Sequence, residues 1–305
     1  MKTPSDDLPR EDNMGQIDII IANYESTPLA INCIGSICQQ IETSHVAIWV
    51  IDNGSSDEPE QIKVKFPGIH LHLNKKNLGF AAAVNQGIVK GKAPYIVLIN
   101  PDAVMNTGLF DQTIQYLDDN PAVGILGPRI LESDGSIQAS ARSFPTPLTA
   151  LFGRRSLLSR LFPKNRFTKA NLLADAIVDK NVPTAVDWVS GACMVIRRKA
   201  VEDVGLLDSD FFMYWEDADW CRRMWNRGWK VVYYPNSSVT HSTGESSRKN
   251  HLHASLAFHQ SVYRLYRKHY PQTAKFLWPV VAGALGFRFV MVTGVRFIQR
   301  FVDLF

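Results

Sequence analysis

Short, almost continuous apolar segments alternate with helical patterns over the first hundred residues of the chain. Apolar segments predict strands at Ile17 to Ala22, Val46 to Ile51, Ile69 to Leu73 and Tyr95 to Ile99. Helical patterns follow the first three strands, at Thr27 to about Gln40, near Glu58 to Lys65, and at Phe80 to Val89. Strands that are apolar throughout are typical of a mostly parallel sheet with helices on both faces. We therefore predict an α/β fold.

Polar loops follow the predicted strands. They are Asn23-Tyr24, Asp52 to Asp57, Asn74 to Gly79 and Asn100-Pro101-Asp102. Parallel sheets bind ligands outside the carboxyl ends of their strands, so we expect a binding site at these loops. The chain has neither G-x-x-x-x-G-K-[ST] nor G-x-G-x-x-G, which disfavours a Walker-type NTPase and a dinucleotide dehydrogenase.

Two of these loops carry aspartates with suitable chemistry for a nucleotide diphosphate. Asp52 can accept hydrogen bonds from a base or ribose. Asp102 can supply an oxygen ligand to Mg²⁺ or Mn²⁺ that bridges a diphosphate. An aspartate after a strand is also a common turn or N-cap residue, so a structural role stays open for each.

A second group of carboxylates lies in the middle of the chain. After Trp188 to Arg198 and a helix at Lys199 to Val204, the segment Phe211 to Trp215 leads into a predicted helix that starts with acidic residues. These acidic residues are Glu216, Asp217 and Asp219. A helix N-terminus stabilises carboxylates, and Asp219 is spaced for an ion pair with Arg223, so a structural explanation is available for the charges. It does not account for the aromatic residues that precede them.

The composition and the N-terminal sequence narrow the range of possible functions. The 305 residues, 46% hydrophobic and 20% charged, describe a globular chain. With 33 basic and 29 acidic residues the charge excess is small, and we expect no nucleic acid partner. Residues Met1 to Gln16 are polar and lack an apolar core, which predicts a disordered leader, not a signal peptide, on a chain that faces the cytoplasm. The cysteines lack zinc spacings and are expected to be buried, reduced thiols. They are Cys33, Cys38, Cys193 and Cys221.

The C-terminal part has a different pattern. His251 to Tyr270 is predicted to be helical, and Phe276 to Phe305 is strongly apolar but interrupted by arginines. The longest apolar run, Phe276 to Phe287, has twelve residues, against about twenty for a membrane-spanning helix. We predict a basic amphipathic segment on an anionic membrane surface, with a docked core helix or a homo-oligomer contact as the alternatives. The basic stretch between Phe144 and Pro183 is predicted either to contact acceptor or membrane or to be a solvated insertion.

Four segments together resemble family 2 glycosyltransferases of the GT-A fold, in particular the bacterial rhamnosyltransferase-like subgroup. They are Asp52-Asn53-Gly54-Ser55; Asn77-Leu78-Gly79-Phe80 with Asn85; Asn100-Pro101-Asp102; and Ser190-Gly191-Ala192 with Phe212 to Asp217. The resemblance implies a nucleotide-diphospho-sugar transferase domain at residues 17–245. Its nucleotide-binding half would span 17–127 and its acceptor half 128–245. Residues 246–305 would form a helical segment that associates with membrane or mediates oligomerisation.

The resemblance also implies roles for individual residues. Asp217 would be the general base, with Glu216 beside it in the catalytic pair, and Asp102 and His241 would hold Mg²⁺ or Mn²⁺. Asp52 would bind the base of the donor. The residues that would contact the nucleotide sugar are Asn23, Asp52, Asn53, Asn77, Gly79, Asn100 and Gly191. The first position of the family's D-x-D motif is Asn100 here, so only one carboxylate charge is available to the metal.

The activity implied is inverting transfer of a sugar from a dTDP- or UDP-sugar to a glycan or lipid-linked acceptor in surface polysaccharide synthesis. The enzyme would act on the inner face of the cell membrane as a peripheral protein. Two alternatives remain from the residues alone. A nucleotidyltransferase would need a Gly-rich loop after the first strand, where Asn23 to Ser26 stands. A non-catalytic glycan- or lipid-binding scaffold would not need Asp102, Glu216 and Asp217.

Overall fold

The computed structural model describes residues 17–40, 46–144, 181–241 and 251–302. The strands are β1 Ile17–Asn23, β2 Val46–Asp52, β3 His70–Leu73, β4 Tyr95–Ile99, β5 Ala103–Met105, β6 Val123–Leu131, β7 Ala141–Arg142, β8 Thr184–Ala185, β9 Trp188–Val189, β10 Cys193–Arg197 and β11 Lys230–His241. The helices are α1 Thr27–Cys38, α2 Glu60–Lys65, α3 Phe80–Lys90, α4 Leu109–Asp119, α5 Arg198–Val204, α6 Glu216–Asn226, α7 His251–His269 and α8 Pro271–Val302. The predicted strands and helices of the first hundred residues are confirmed, with ends that differ by one or two residues.

One sheet of nine strands runs through the described part of the chain, in the order β3-β2-β1-β4-β10-β6-β11-β5, with β8 paired to β11. Strands β1 to β4 are mutually parallel, and β6 is parallel to β11. Between these groups β10 runs antiparallel to both β4 and β6, so β6 and β11 point the same way as β1. The sheet is therefore mostly parallel, as predicted. The carboxyl ends of β1, β2, β4 and β11 lie at one edge.

Both faces of the sheet are covered by helices, which explains why the strands are apolar throughout. Ile19 and Ile21 of β1 are buried in a cluster with side chains of α1, α2 and α4, whereas Ile20 packs with side chains of α3, α5 and α6. Burial of each such side chain contributes about 1.5 to 3 kcal/mol. A Cβ on Gly87 would lie 2.6 Å from Cγ2 of Ile20, so glycine lets α3 pack closely on the sheet.

Several sequence predictions concern segments without described structure. The leader at residues 1–16 lies outside the described residues, and so does most of the basic stretch between Phe144 and Pro183. The expected boundary between the two halves, at residue 127, falls inside β6, and both halves contribute strands to the same sheet. The cysteines are unpaired, and all except the half-buried Cys38 are buried.

Helix α7 contacts α6 through ion pairs of Lys268 and His269 with Asp219, and α8 packs on α7, where Phe289 meets His259. The predicted helix at His251 to Tyr270 is confirmed as α7, and α8 continues for 32 residues with Pro279 inside it. Within the described ranges, none of the helices combines the length and the apolar character needed to cross a membrane. Exposed apolar side chains are concentrated on α8; they include Phe276, Leu277, Val280, Phe287 and Val290.

Candidate functional site

The loop after β2 is organised by Asp52, which is buried. Its Oδ1 accepts hydrogen bonds from Nδ2 of Asn23 at 2.8 Å and from Oγ of Ser55 at 2.5 Å. Its Oδ2 accepts hydrogen bonds from the backbone amides of Gly54 and Ser55. The sequence places Asp52 at this strand end correctly. In this structure the carboxylate orders its own loop, so its role in binding the donor base stays a prediction.

The loop before α3 is tied to the Asp52 loop and to the aromatic segment. Asn53 donates from Nδ2 to the carbonyl of Gly79 at 3.0 Å, and Oδ1 of Asn77 accepts from the amide of Gly79 at 2.8 Å. Gly79 has φ +91, and a Cβ there would lie 2.6 Å from the carbonyl oxygen of Phe212. That oxygen accepts a hydrogen bond from the amide of Phe80 at 2.7 Å. The amide of Phe80, the first residue of α3, has no partner within the helix and is therefore hydrogen-bonded to another part of the protein in this structure.

Asp102 and His241 meet at the carboxyl edge of the sheet. Ala103, the first residue of β5, pairs with His241, the last residue of β11, so the strand register brings the two side chains together. Nε2 of His241 lies 3.1 Å from Oδ1 of Asp102, and the two side chains are 10% and 1% exposed. Nδ2 of Asn100 lies 3.5 Å from the same imidazole nitrogen. The family resemblance implies that Asp102 and His241 hold one metal, and the structure brings these two side chains into contact.

This pair has the chemistry of a small divalent-metal site. One carboxylate oxygen and one imidazole nitrogen face each other, and Nδ1 of His241 is buried without a hydrogen-bond partner among the described residues. The described ranges contain no group of three or more His, Cys, Asp and Glu side chains that could hold a metal. Mg²⁺ commonly takes one or two protein carboxylates and completes its shell with phosphate oxygens and water. The two residues therefore fit an ion that a bound diphosphate would share.

A short turn connects this pair to the acidic residues of α6. The amide of Gly191 donates a hydrogen bond to Oδ2 of Asp217 at 3.0 Å. The carbonyl of the next residue, Ala192, accepts a hydrogen bond from the amide of Asn100 at 2.9 Å. Because β10 follows this turn and lies beside β4, the sheet itself fixes the turn between the two loops. The predicted residues Asn100, Gly191 and Asp217 thus belong to one connected site.

Glu216 and Asp217 begin α6 but have different surroundings. Burial raises the pKa of Glu216 well above its usual value, and the charge of Asp217 raises it further. Burial also raises the pKa of Asp217, but the amides of Gly191 and Ala218 and the charge of Arg142 oppose that effect. Oε2 of Glu216 is buried without a hydrogen-bond partner among the described residues. The pKa of both carboxyls is therefore raised by burial, and backbone hydrogen bonds favour the charged form at Asp217, whereas the neighbouring charge disfavours it at Glu216.

The third acidic residue of α6, Asp219, joins the helix to α7. Its side chain is fully buried, and Oδ2 accepts a hydrogen bond from Nε of Arg223 at 2.9 Å, the ion pair that the sequence spacing predicts. Nζ of Lys268 and Nε2 of His269 lie 2.9 and 2.7 Å from Oδ1. Burial alone would raise the pKa of Asp219, but these hydrogen bonds and charges outweigh it and lower the pKa to about 2.

The sequence analysis assigned no role to several residues that shape the site, although Asn85 and Trp215 lie in the segments that carry the family resemblance. Arg142, from β7, acts on the charge of Asp217, and nothing in its local sequence marks it. Asn85 holds both backbone groups of Leu207, through bonds of 2.8 and 3.0 Å, and so fixes the start of the loop that leads to α6. Trp188 packs against Trp215 with ring centroids 5.7 Å apart. The aromatic residues around Trp215 in the sequence could have indicated that it matters, but not that Trp188 is its partner.

Comparison with known proteins gives consistent results. The model of the family described as "Glycosyltransferase like family 2" matches residues 15–260. The N-acetylglucosaminyl-diphospho-decaprenol L-rhamnosyltransferase of Mycobacterium tuberculosis is 30% identical over 259 residues, which cover 81% of this chain and 82% of that protein. The match of the family model to most of the chain favours sugar transfer over nucleotidyl transfer and over a non-catalytic scaffold.

Two solved structures share the fold at low sequence identity. The mannosyltransferase PcManGT of Pyrobaculum calidifontis, in complex with GDP-Man and Mn²⁺, has a TM-score of 0.56 and 15% identity, covering 88% of this chain and 67% of that one. GalNAc-T7 with UDP, GalNAc and Mn²⁺ also has a TM-score of 0.56, with 16% identity, covering 76% of this chain and 44% of that one. The chain therefore belongs to glycosyltransferase family 2 and is a glycosyltransferase of the GT-A fold.

Proposed function

We propose that this glycosyltransferase transfers a sugar, with rhamnose as the first candidate, from a nucleotide diphosphate to a lipid-linked glycan acceptor with inversion. The observation that carries the proposal is the state of Asp217. Its carboxylate has a pKa raised by burial, accepts hydrogen bonds from the amides of Gly191 and Ala218, and is held by the turn that also contacts the Asp102 loop. A general base must sit near the reacting groups and have a pKa closer to the working pH than an ordinary aspartate.

The mechanism follows from having a single anionic base. The acceptor hydroxyl attacks the anomeric carbon of the donor while its proton passes to Asp217, and the bond from that carbon to the diphosphate oxygen breaks. The nucleoside diphosphate leaves with the bonding electron pair. One displacement on the face opposite the leaving group inverts the anomeric configuration. Burial and the charge of Asp217 raise the pKa of Glu216, so Glu216 would be the protonated member of the pair and would add no second negative charge beside the forming bond.

Donor binding would use the loops at the carboxyl edge. Asp102 and His241 would hold Mg²⁺ or Mn²⁺, which would neutralise charge on the diphosphate leaving group. The loops that carry Asn23, Asp52, Asn53, Asn77 and Gly79 would contact the nucleotide. The rhamnosyltransferase-like resemblance favours dTDP-rhamnose as donor, and UDP-sugars are the second choice.

The proposed acceptor class is based on the Mycobacterium tuberculosis relative, and the proposed location is based on the C-terminal helix α8. The name of the Mycobacterium tuberculosis relative specifies a diphospho-decaprenol acceptor. Here α8 exposes 82% of Phe276, 67% of Val280 and 69% of Phe287. A helix that presents large apolar side chains together with an exposed arginine, here Arg288, is suited to lie in the interface of an anionic membrane. We infer that the enzyme works as a peripheral protein on the inner face of the cell membrane.

The proposal is tested by titrating the purified protein with dTDP, UDP and GDP in a calorimeter, first with Mn²⁺ or Mg²⁺ and then with EDTA. We expect one nucleotide to bind selectively, with affinity that falls in EDTA. Folding is verified separately from the thermal unfolding transition. If a folded protein binds none of the three nucleotides in either condition, the proposed donor class is wrong.

A further inference from the structure

A cleft of about 650 Å³ lies between α7 and the loop that precedes α6. We call it the α7 cleft. It is separate from the Asp102–His241 pair and from the Asp52 loop, and none of the residues assigned to the donor lines it. Its charged and aromatic lining includes Asp208, Asp210, Tyr263, Arg264, Arg267 and Lys268. The cleft thus combines three basic groups with an aromatic wall.

The three basic side chains of the cleft differ in their ion-pair partners. Lys268 is held by Asp208 at 2.6 Å and by buried Asp219 at 2.9 Å. Arg264 pairs with Asp210, whose side chain is 74% exposed. Arg267 is exposed and lies over the ring of Tyr263, 5.9 Å from its centroid, and it forms no ion pair with the described carboxylates. Arg267 is therefore the cleft's available guanidinium, and a guanidinium can bind a phosphate group through two parallel hydrogen bonds.

The position of the cleft links it both to the base and to an apolar surface. Ser261, which lines it, donates a hydrogen bond to the carbonyl of Met213 at 2.9 Å, four residues before Asp217. Along the chain, α7 ends at His269, directly after the cleft residues Arg267 and Lys268, and α8 starts at Pro271, followed by the exposed Phe276. A ligand that fits this layout has an anionic group for Arg267, a chain for the apolar surface of α8 and a sugar directed towards Asp217.

We propose that the α7 cleft binds the diphosphate group of a lipid-linked acceptor, with Arg267 as its main ligand and Arg264 as the second. This proposal rests on the proposed function, because it assigns the acceptor subsite of the same reaction. Binding of a diphosphate would draw Arg264 from Asp210, an exchange between two solvent-exposed partners that costs little. The donor diphosphate is bound elsewhere, at the carboxyl edge of the sheet.

The test is a binding measurement that needs no turnover. Farnesyl diphosphate, farnesol and inorganic pyrophosphate are titrated into the full chain in EDTA, which suppresses metal-dependent binding at the donor site. The variants are Arg267→Ala and, as a matched control, Arg227→Ala, which removes an arginine that is 64% exposed and lies outside the cleft. Thermal unfolding midpoints verify that both variants fold.

We expect farnesyl diphosphate to bind more tightly than farnesol or pyrophosphate, and Arg267→Ala to weaken it about tenfold or more. Arg227→Ala should leave the affinity unchanged. Equal weakening by both variants, or none by Arg267→Ala, would overturn the proposal, and pyrophosphate binding as tight as that of farnesyl diphosphate would overturn the lipid-linked assignment. Sugar transfer that persists while Arg267→Ala leaves binding unaltered would reject the cleft alone and leave the proposed function standing.

Discussion

The amide of Gly191 donates a hydrogen bond to Oδ2 of Asp217 at 3.0 Å, while the adjoining Ala192 binds the amide of Asn100 through its carbonyl. Two consecutive residues therefore hold Asp217, the proposed base, and the Asn100 loop, which carries the proposed metal ligand Asp102. The contact with Asn100 joins two backbone groups, whereas the contact with Asp217 reaches its side-chain carboxylate, so the path of the chain into β10 and the rotamer of Asp217 together set the spacing. In the proposed mechanism, this turn would position Asp217 relative to the donor.

Replacing the base tests this relationship. Asp217→Asn keeps the size of the side chain and removes its ability to take a proton, so we expect turnover to fall about a hundredfold or more. Affinity for the nucleotide should change little, because Asp217 is assigned to the acceptor hydroxyl. Steady-state rates and nucleotide titration measure the two effects separately.

A matched control for this variant is Asp111→Asn, which changes an exposed aspartate in the first turn of α4. Its turnover should equal that of the unaltered enzyme. Turnover of Asp217→Asn close to that of the control would remove Asp217 as the base.

The pH dependence of the reaction should reveal the raised pKa of Asp217. Burial raises this pKa, so the carboxylate takes up its proton at a higher pH than an ordinary aspartate, whose pKa is about 3.9. The protonated form cannot act as base, and kcat/KM should therefore fall as pH decreases through the raised value. A profile of kcat/KM against pH for a folded enzyme measures it. An acid limb at or below the ordinary aspartate value would contradict the assignment.

Removal of the metal-side carboxylate should affect nucleotide binding. Asp102→Ala takes away the oxygen that faces His241, and we expect nucleotide diphosphate affinity in Mn²⁺ to drop to the value that the unaltered enzyme has in EDTA. Calorimetric titration with and without EDTA measures this difference. Asp111→Ala serves as the control and should keep the full metal effect. A metal effect retained in Asp102→Ala would show that other groups hold the ion.

Asp219 should govern the stability of the contact between α6 and α7. Asp219→Asn leaves Lys268 and His269 without their buried carboxylate, and we expect the free energy of unfolding to fall by about 3 kcal/mol near neutral pH. The folded pKa of about 2 is lower than the unfolded value of about 3.9. The contribution is therefore complete above the unfolded value and is lost as pH falls towards the folded one.

Urea unfolding of the unaltered chain and of Asp219→Asn, at neutral pH and at about pH 3, measures this contribution. The difference between the two proteins should shrink at the lower pH. Asp203→Asn, at an aspartate whose side chain is 45% exposed, is the control and should change stability by less than about 0.5 kcal/mol. An equal loss for both variants would show that Asp219 makes no special contribution.

The sequence predicts local features well because they depend on neighbouring residues. The apolar strands, the helix that starts at Glu216 and the pair of Asp219 with Arg223 all follow from periodicity or spacing. Contacts between distant segments do not follow in this way. Lys268 and His269 reach Asp219 from about fifty positions along the chain, which no local pattern indicates.

The start of α3, where Gly79 is expected to contact the nucleotide sugar, illustrates the same limit. Gly79 and the small residues after it are correctly placed, and a free helix N-terminus would favour an anion. In this structure the amide of Phe80 donates a hydrogen bond to the carbonyl of Phe212, which lies in a loop more than a hundred residues later in the chain. Likewise, the sequence predicts the position of Asp52, but only the structure shows that four protein hydrogen bonds occupy its oxygens.

The most direct test of the account is the anomeric configuration of the first product. The enzyme is incubated with dTDP-rhamnose, a polyprenyl-diphosphate-linked acceptor sugar and Mn²⁺ or Mg²⁺, and the new linkage is analysed by NMR, with Asp217→Asn in parallel. The account predicts a linkage of configuration opposite to that of the donor, and almost none from the variant. A linkage that retains the donor configuration, or equal product from the variant, would contradict direct displacement with Asp217 as base.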